Sequence, residues 1–195
     1  MKTTKSGFTL IELIVVISIV TILASILVPT ALGYIRMAKK KSDIATARTL
    51  YLEATAVLAE EPTAYKSFYN KNGSSYKNPH WKNIPDDDGG TYTLLPVLKI
   101  DGDSTARTKS YNLGPIDNEQ KEFCELFNQR LEWKNKDLNV SIHYTPKDCD
   151  YNLNRWLICY RKENPEIIEV WIADANVWGS GMPVYRVYPN TSPDY

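Results

Sequence analysis

The chain has 195 residues and a mass of 22.3 kDa, which is enough for one domain together with an anchor or a stalk. Its 23 Lys and Arg residues balance its 23 Asp and Glu residues, so the formal net charge is +0. This balance excludes a global electrostatic attraction to nucleic acid or to an anionic membrane surface.

The N-terminal part of the chain reads as a membrane span. Residues 8–32 are almost entirely apolar, and a helix of this length can cross a hydrocarbon core of ~30 Å. Lys2 and Lys5 precede the segment, so the positive-inside rule predicts a cytoplasmic N-terminus, although the basic residues within 36–41 favour the opposite orientation. The run is too long for an ordinary secretory signal. Hydropathy alone therefore predicts a single span that holds an external domain.

One carboxylate, Glu12, lies about one helical turn inside this apolar segment. An intramembrane carboxylate costs of order a few kcal/mol and indicates a functional role. One interpretation is that the side chain reaches back to the cytoplasmic interface. The other is that Glu12 has a cationic partner. A cut between Gly7 and Phe8 creates an α-amino group with a pKa of ~8, which can pair with Glu12 of another molecule.

The residues around Glu12 carry a family resemblance. The stretch KSGFTLIE, residues 5–12, resembles the leader and cleavage motif of type IV pilins and their pseudopilin relatives, and the resemblance covers residues 1–34. It implies that a prepilin peptidase in the membrane cuts after Gly7 and N-methylates the new terminal residue, Phe8. It also implies that Glu12 pairs with the terminal amine of a neighbouring subunit.

The helical pattern continues beyond the apolar segment. Apolar residues recur at steps of three and four, and they are Ile44, Ala47, Tyr51, Ala54 and Leu58. This spacing predicts one buried face on a helix over residues 8–60, which Pro62 terminates. Pro29 removes one backbone hydrogen bond and should bend or locally melt this helix. The pilin resemblance assigns Pro29 and Gly33 to a helix kink.

The rest of the chain predicts a second helix and several strands. Residues 64–115 are rich in turn-forming residues, and residues 70–79 are one of the plainest turn runs. Within this segment, residues 92–100 are predicted to form one short strand. A helix is predicted over residues 117–134, with Asp117 as its cap. Four further runs show the β-branched and aromatic enrichment of strands, and they are residues 140–144, 155–160, 167–173 and 184–188.

These elements predict an α+β fold class, with an antiparallel meander whose one face packs on the N-terminal helix. The resemblance implies the type IV pilin fold, in which a long N-terminal α-helix packs on a C-terminal antiparallel β-sheet domain. The predicted divisions are a leader, an apolar half of the helix, an amphipathic half and a globular head, and they are residues 1–7, 8–34, 35–61 and 62–195.

The sequence shows no motif for catalysis. His80 and His143 lack the surroundings of a histidine that activates a nucleophile, and there is no phosphate-binding loop or dinucleotide fingerprint. We therefore predict no enzyme activity and no cofactor, and we assign no residues to a metal site, while zinc held by the cysteines together with one His or Asp is left open. Cys124, Cys149 and Cys159 permit at most one intrachain disulfide, or they stay reduced, and the pairing is left open.

The leading hypothesis is a structural role as the major pilin of a type IV pilus, a helical surface filament for adhesion, motility or biofilm formation. The precursor would be a single-pass protein of the bacterial cytoplasmic membrane with its N-terminus inside, and after processing it would join an extracellular filament. The implied partners are further copies of the chain, the prepilin peptidase, the pilus assembly platform and the membrane, while nucleic acid is left open. The alternatives are a minor pilin, a pseudopilin of a type II secretion or DNA-uptake system, or a membrane-anchored receptor or enzyme that does not polymerise.

Overall fold

The apolar segment and the amphipathic segment after it form one helix, α1 (Leu10–Glu60, 51 residues). The computed structural model of the chain describes residues 7–69, 76–77, 93–101, 113–115, 118–134, 140–174 and 182–195. Residues 1–6, His80 and Asp117, which carry predictions above, lie outside these ranges. α1 confirms the long helix predicted from the sequence, and it stays helical through both Pro29 and Gly33.

α1 contributes to two compact units, which divide between Lys39 and Lys40. In the first unit the large apolar side chains of α1 are exposed, from Leu10 to Met37. Its most apolar stretch has a mean hydropathy of 2.8 and is 0% buried, so by length and composition the helix can cross a membrane.

In the second unit one face of α1 is buried. The buried residues of this face are Asp43, Thr46, Ala47, Leu50, Ala54 and Val57. The face is rotated from the predicted stripe, because Leu50 and Val57 lie at its centre. Ile44, Tyr51 and Leu58 are only partly buried at its edge.

Two shorter helices complete the helical part of the second unit. They are α2 (Pro62–Tyr69) and α3 (Lys121–Lys134). α3 confirms the predicted second helix, and a single 3₁₀ turn, Asn118–Gln120, precedes it. α2 lies in a segment predicted to be turns, and that prediction is wrong. Pro62 ends α1 and also begins α2, where the missing N–H of proline would have had no helical partner.

The described strands form one six-stranded antiparallel sheet. They are β1 (Tyr76–Lys77), β2 (Thr93–Asp101), β3 (Leu113–Pro115), β4 (Leu153–Arg161), β5 (Ile168–Asp174) and β6 (Met182–Tyr188). The order is β1-β2-β4-β5-β6, and β3 also pairs with β2. β2, β4, β5 and β6 confirm predicted strands, whereas β1 lies in the run 70–79 that was predicted as a turn. β2 tolerates Pro96 because the register shifts beside it, as in a β-bulge.

Both faces of the sheet are buried. One face shares a single apolar core with the three described helices, and this core includes Leu50 of α1, Phe68 of α2, Phe127 of α3, Trp156 of β4 and Val187 of β6. The other face carries a smaller cluster, which consists of Leu94, Leu157, Cys159, Trp171 and Ala173. The structure therefore confirms the α+β class, with a long N-terminal helix followed by an antiparallel sheet.

Residues 140–144 form no strand, so that prediction is wrong. The main-chain N–H groups of His143 and Tyr144 donate to the Asp43 carboxylate at 3.0 and 2.8 Å. The carbonyl oxygen of Val140 accepts a hydrogen bond from Trp156 Nε1 at 2.7 Å. Because side chains of α1 and β4 satisfy these backbone groups, the segment needs no neighbouring strand.

Candidate assembly site

A capping box formed by Thr9 and Glu12 closes the N-terminus of α1. The main-chain N–H of Thr9 donates to Glu12 Oε2 at 2.8 Å, and the Thr9 hydroxyl donates to the same oxygen at 2.7 Å. In return, the Glu12 N–H donates to Thr9 Oγ1 at 3.3 Å. This pattern satisfies groups that the first helical turn leaves without partners, and it places a carboxylate at the positive end of the helix dipole. Sequence reasoning missed Thr9, although the spacing T-x-x-E signals such a cap.

The surroundings of Glu12 are apolar and open. Phe8, Ile11, Val15 and Val16 line a shallow groove on α1 together with Glu12. Phe8 is 81% exposed and Ile11 is 69% exposed. The structure therefore brings the residue predicted to be methylated and the residue predicted to direct assembly to one end of the helix. Their roles in cleavage and pairing stay predictions.

The serine and threonine hydroxyl groups in the apolar half of α1 bond to the helix itself. Each donates to a carbonyl oxygen about one turn earlier at 2.7 to 2.9 Å, and the residues are Ser18, Thr21, Ser25 and Thr30. Such internal bonds spare the hydroxyls an unpaired state where no water is present. These side chains therefore suit both a lipid and an apolar protein environment.

Gly7 and Gly33 have open space around them within the described part of the chain. Apart from the adjoining residues and the nearby backbone of α1, an added Cβ at either position would meet no described atom within 4 Å. Contacts among the described residues therefore do not explain why these two positions carry glycine. The structure does not test cleavage at Gly7, and the kink at Pro29 and Gly33 also stays a prediction.

The three cysteines are free thiols in the structure. Cys159 belongs to the small cluster on one face of the sheet, whereas Cys124 and Cys149 pack with the main core. Cys159 therefore lies on the opposite face of the sheet from the other two thiols. Burial, followed by the nearby Glu125 carboxylate, raises the pKa of the Cys124 thiol to about 12. The disulfide stays a prediction.

Asp43 is the centre of a buried polar network that sequence reasoning missed. Its fully buried carboxylate lies 3.0 Å from His143 Nδ1 and accepts a hydrogen bond from the Tyr195 hydroxyl at 2.8 Å. Burial and the Asp43 carboxylate raise the pKa of the Tyr195 hydroxyl. The Lys40 ammonium donates to the main-chain oxygen of Tyr195 and lies 5.9 Å from the centre of the Tyr144 ring. The available signal was a carboxylate on a helix face that is otherwise apolar.

The described residues hold no group of three or more His, Cys, Asp or Glu side chains placed to bind a metal ion. His143 is the histidine that the structure describes, and it is tied to Asp43. This pair joins α1 to residues 140–144, so its contacts are those of a packing interaction.

Comparison with models of protein families gives a match at the N-terminus of the chain. Residues 2–28 match the prokaryotic N-terminal methylation motif, which is the signature of type IV pilins and prepilins. No curated protein and no solved structure matches the chain. The match includes Gly7, Phe8 and Glu12, so it covers the groove and the capping box described above.

Proposed function

Because the chain carries the type IV prepilin methylation motif on a pilin-like α+β fold, we propose that it is the major structural subunit of a type IV pilus. The motif by itself supports a type IV pilin-like or pseudopilin protein, processed by a prepilin peptidase, and it suggests a structural protein rather than an enzyme. The observation that carries the finer proposal is Glu12, a carboxylate at the exposed apolar end of α1.

The proposed mechanism begins in the membrane. The apolar half of α1 anchors the precursor with its N-terminus in the cytoplasm, and the peptidase cuts after Gly7. The new amino group of Phe8 is cationic, and on assembly it pairs with Glu12 of a neighbouring copy. The hydrogen bonds from Thr9 to the Glu12 carboxylate have neutral donors, whereas the amine is a cation and adds a Coulomb attraction that is strong in apolar surroundings. Glu12 therefore gains by exchanging its intrachain partner for the amine.

This contact joins two different surfaces, the terminal amine of one copy and the carboxylate of another. A heterologous contact that does not close into a ring generates an open helical filament. The exposed apolar side chains of α1 then pack against those of other copies, which replace lipid as their apolar surroundings. The chain leaves the cytoplasmic membrane, through the pilus assembly platform, and becomes part of an extracellular fibre.

The test compares Glu12→Ala with Glu12→Gln in cells that produce the full chain. The glutamine side chain of the second variant keeps an oxygen that can accept from the Thr9 N–H and so keeps the cap, but it cannot form an ion pair. We expect both variants to insert in the membrane and both to lose most of the filaments recovered by shearing. Normal filament yield from Glu12→Ala would contradict the mechanism.

Mass spectrometry of the wild-type chain is the second arm of this test. We expect a mature chain that begins at Phe8 and carries one methyl group. An unprocessed chain that still begins at Met1 would overturn the pilin proposal altogether.

The motif equally supports a minor pilin or a pseudopilin, because it concerns the N-terminal segment alone. Glu12 favours a subunit of the fibre body, since that role needs a partner for the amine at every position of the fibre. The abundance of the chain in sheared surface filaments separates these roles. A major pilin forms the bulk of that material, whereas a minor pilin or pseudopilin does not.

A further inference from the structure

An acidic groove lies between the end of α1 and α3. It is lined by Val57, Glu60, Glu61, Leu126, Gln129 and Arg130. Val57 and Leu126 are the apolar part of its lining. Arg130 bonds to Glu60 and also to Glu53, whose carboxylate lies 2.6 Å from Arg130 Nε. Glu61 is exposed and forms no ion pair with any described residue. The groove therefore presents two carboxylates and one cation, and the cation is already engaged.

A basic stripe runs along the opposite, solvent-facing side of α1. Lys41, Ala45, Arg48 and Leu52 are all exposed, and their spacing of four, three and four residues places them on one helix face. Leu52 is 50% exposed. Lys41 and Arg48 form no ion pair with any described residue. The stripe therefore offers two cations and one large apolar side chain over ~17 Å of helix, at ~1.5 Å per residue.

The groove and the stripe are complementary in charge and in apolar content. In one copy they cannot meet, because Val57 in the groove belongs to the buried face of α1 and the stripe faces away from it. A second copy can bring its stripe to the groove. Leu52 then covers Leu126, while the two cations approach Glu60 and Glu61.

We propose that the stripe of Lys41, Arg48 and Leu52 on one copy docks into the groove at Glu60, Glu61 and Leu126 on the next copy. This inference rests on the proposed function, because it names a second contact between subunits of the same filament. The contact is again heterologous, so it extends a fibre and does not close a pair. It lies in the second unit, whereas the pairing of Phe8 with Glu12 lies in the first.

The test is a charge exchange in the full chain, read as the amount of filament recovered by shearing. Arg48→Glu alone and Glu61→Lys alone are each expected to lower the yield at least about fivefold, because each places like charges together at the contact. Arg48→Glu combined with Glu61→Lys restores the attraction with reversed signs, and we expect it to recover most of the wild-type yield. The milder variants Arg48→Ala and Glu61→Ala remove one charge each and are expected to cause smaller losses.

Controls separate this contact from folding and from the proposed function. Lys162→Glu and Glu166→Lys reverse exposed charges between β4 and β5 and are expected to leave the yield unchanged. We expect the membrane-bound precursors of the Arg48 and Glu61 variants to resist proteolysis as well as the wild-type precursor does. The reason is that Arg48 and Glu61 have no ion-pair partners within the described residues, so the substitutions should not disturb folding. Normal yield from Arg48→Glu, or failure of the exchange to restore assembly, would overturn the docking contact. If either of these two results were obtained while Glu12→Ala lost its filaments, the docking contact would be overturned and the proposed function would still be supported.

Discussion

Replacing Asp43 by alanine tests the polar network that fastens α1 to the rest of the second unit. The carboxylate accepts from the main-chain N–H of His143 at 3.0 Å, from that of Tyr144 at 2.8 Å and from the Tyr195 hydroxyl at 2.8 Å. Asp43 is 0% exposed and Tyr195 is 2% exposed. Asp43→Ala leaves these three donors without their acceptor and also removes the partner of His143 Nδ1.

The expected loss follows from the burial of those donors. A buried donor left without a partner costs about 1–3 kcal/mol. His143 and Tyr144 are only partly buried, so each contributes near the lower limit, whereas the Tyr195 hydroxyl contributes about 2 kcal/mol. We therefore expect Asp43→Ala to lower the free energy of unfolding by about 3–5 kcal/mol. Asp43→Asn keeps the shape and one acceptor oxygen, and a loss of about 1–2 kcal/mol is expected.

The assay is urea unfolding of the full chain in detergent micelles, followed by the fluorescence of the buried Trp156 and Trp171. Asp148→Ala is the matched control, because Asp148 is an exposed carboxylate. Its effect is expected to stay within about 0.5 kcal/mol. A loss below about 1 kcal/mol for Asp43→Ala would refute the reasoning, since the three donors would then have found other partners.

Two further predictions concern the second unit. Arg130→Ala removes the ion pair with Glu53, whose side chain is only 16% exposed, and also the bond to Glu60. In urea unfolding we expect it to lower the free energy of unfolding by about 1–2 kcal/mol. The value for Arg130→Lys should lie between those of Arg130→Ala and the wild-type chain. Burial raises the pKa of Cys124 to about 12, so above pH 9 the unfolded chain releases a thiol proton that the folded chain keeps. The free energy of unfolding should therefore fall as the pH rises from 9 to 10, by up to about 1.4 kcal/mol per pH unit, and the slope should be smaller in Cys124→Ala. An equal slope in both chains would contradict the burial of this thiol.

The parts of the fold that depend on local periodicity were predictable. Apolar steps of three and four residues predicted α1, because a helix that buries one face must repeat in this way, and the helix predicted over residues 117–134 contains α3. β4, β5 and β6 followed from β-branched and aromatic runs between turn residues. The methylation motif was equally local, since the family match lies within residues 2–28.

The parts that failed depend on contacts between distant residues. Residues 140–144 have the composition of a strand, but the Asp43 carboxylate, about a hundred positions earlier, takes their N–H groups. α2 has only eight residues, and it is held by contacts such as the Ser67 hydroxyl, which donates to the Glu119 carbonyl at 2.7 Å. The spacing of apolar residues along the sequence does not reveal hydrogen bonds between residues that are far apart in the chain. The cap of α1 by Thr9 was a different case, because its signal was local and was overlooked.

Under the proposed function, the Glu12 carboxylate in the first half of α1 changes its partner when the chain enters a filament. The hydroxyls at Ser18, Thr21, Ser25 and Thr30 already bond to carbonyls of the same helix. Transfer from lipid to a filament core therefore leaves these bonds intact, and the apolar side chains exchange one apolar environment for another. Glu12 differs, because its partners within the chain are the neutral groups of Thr9. Under the proposed function, the Glu12 carboxylate therefore supplies the free-energy difference that selects one axial offset between neighbouring copies. Packing of the apolar side chains supplies the attraction between copies but does not fix their axial offset.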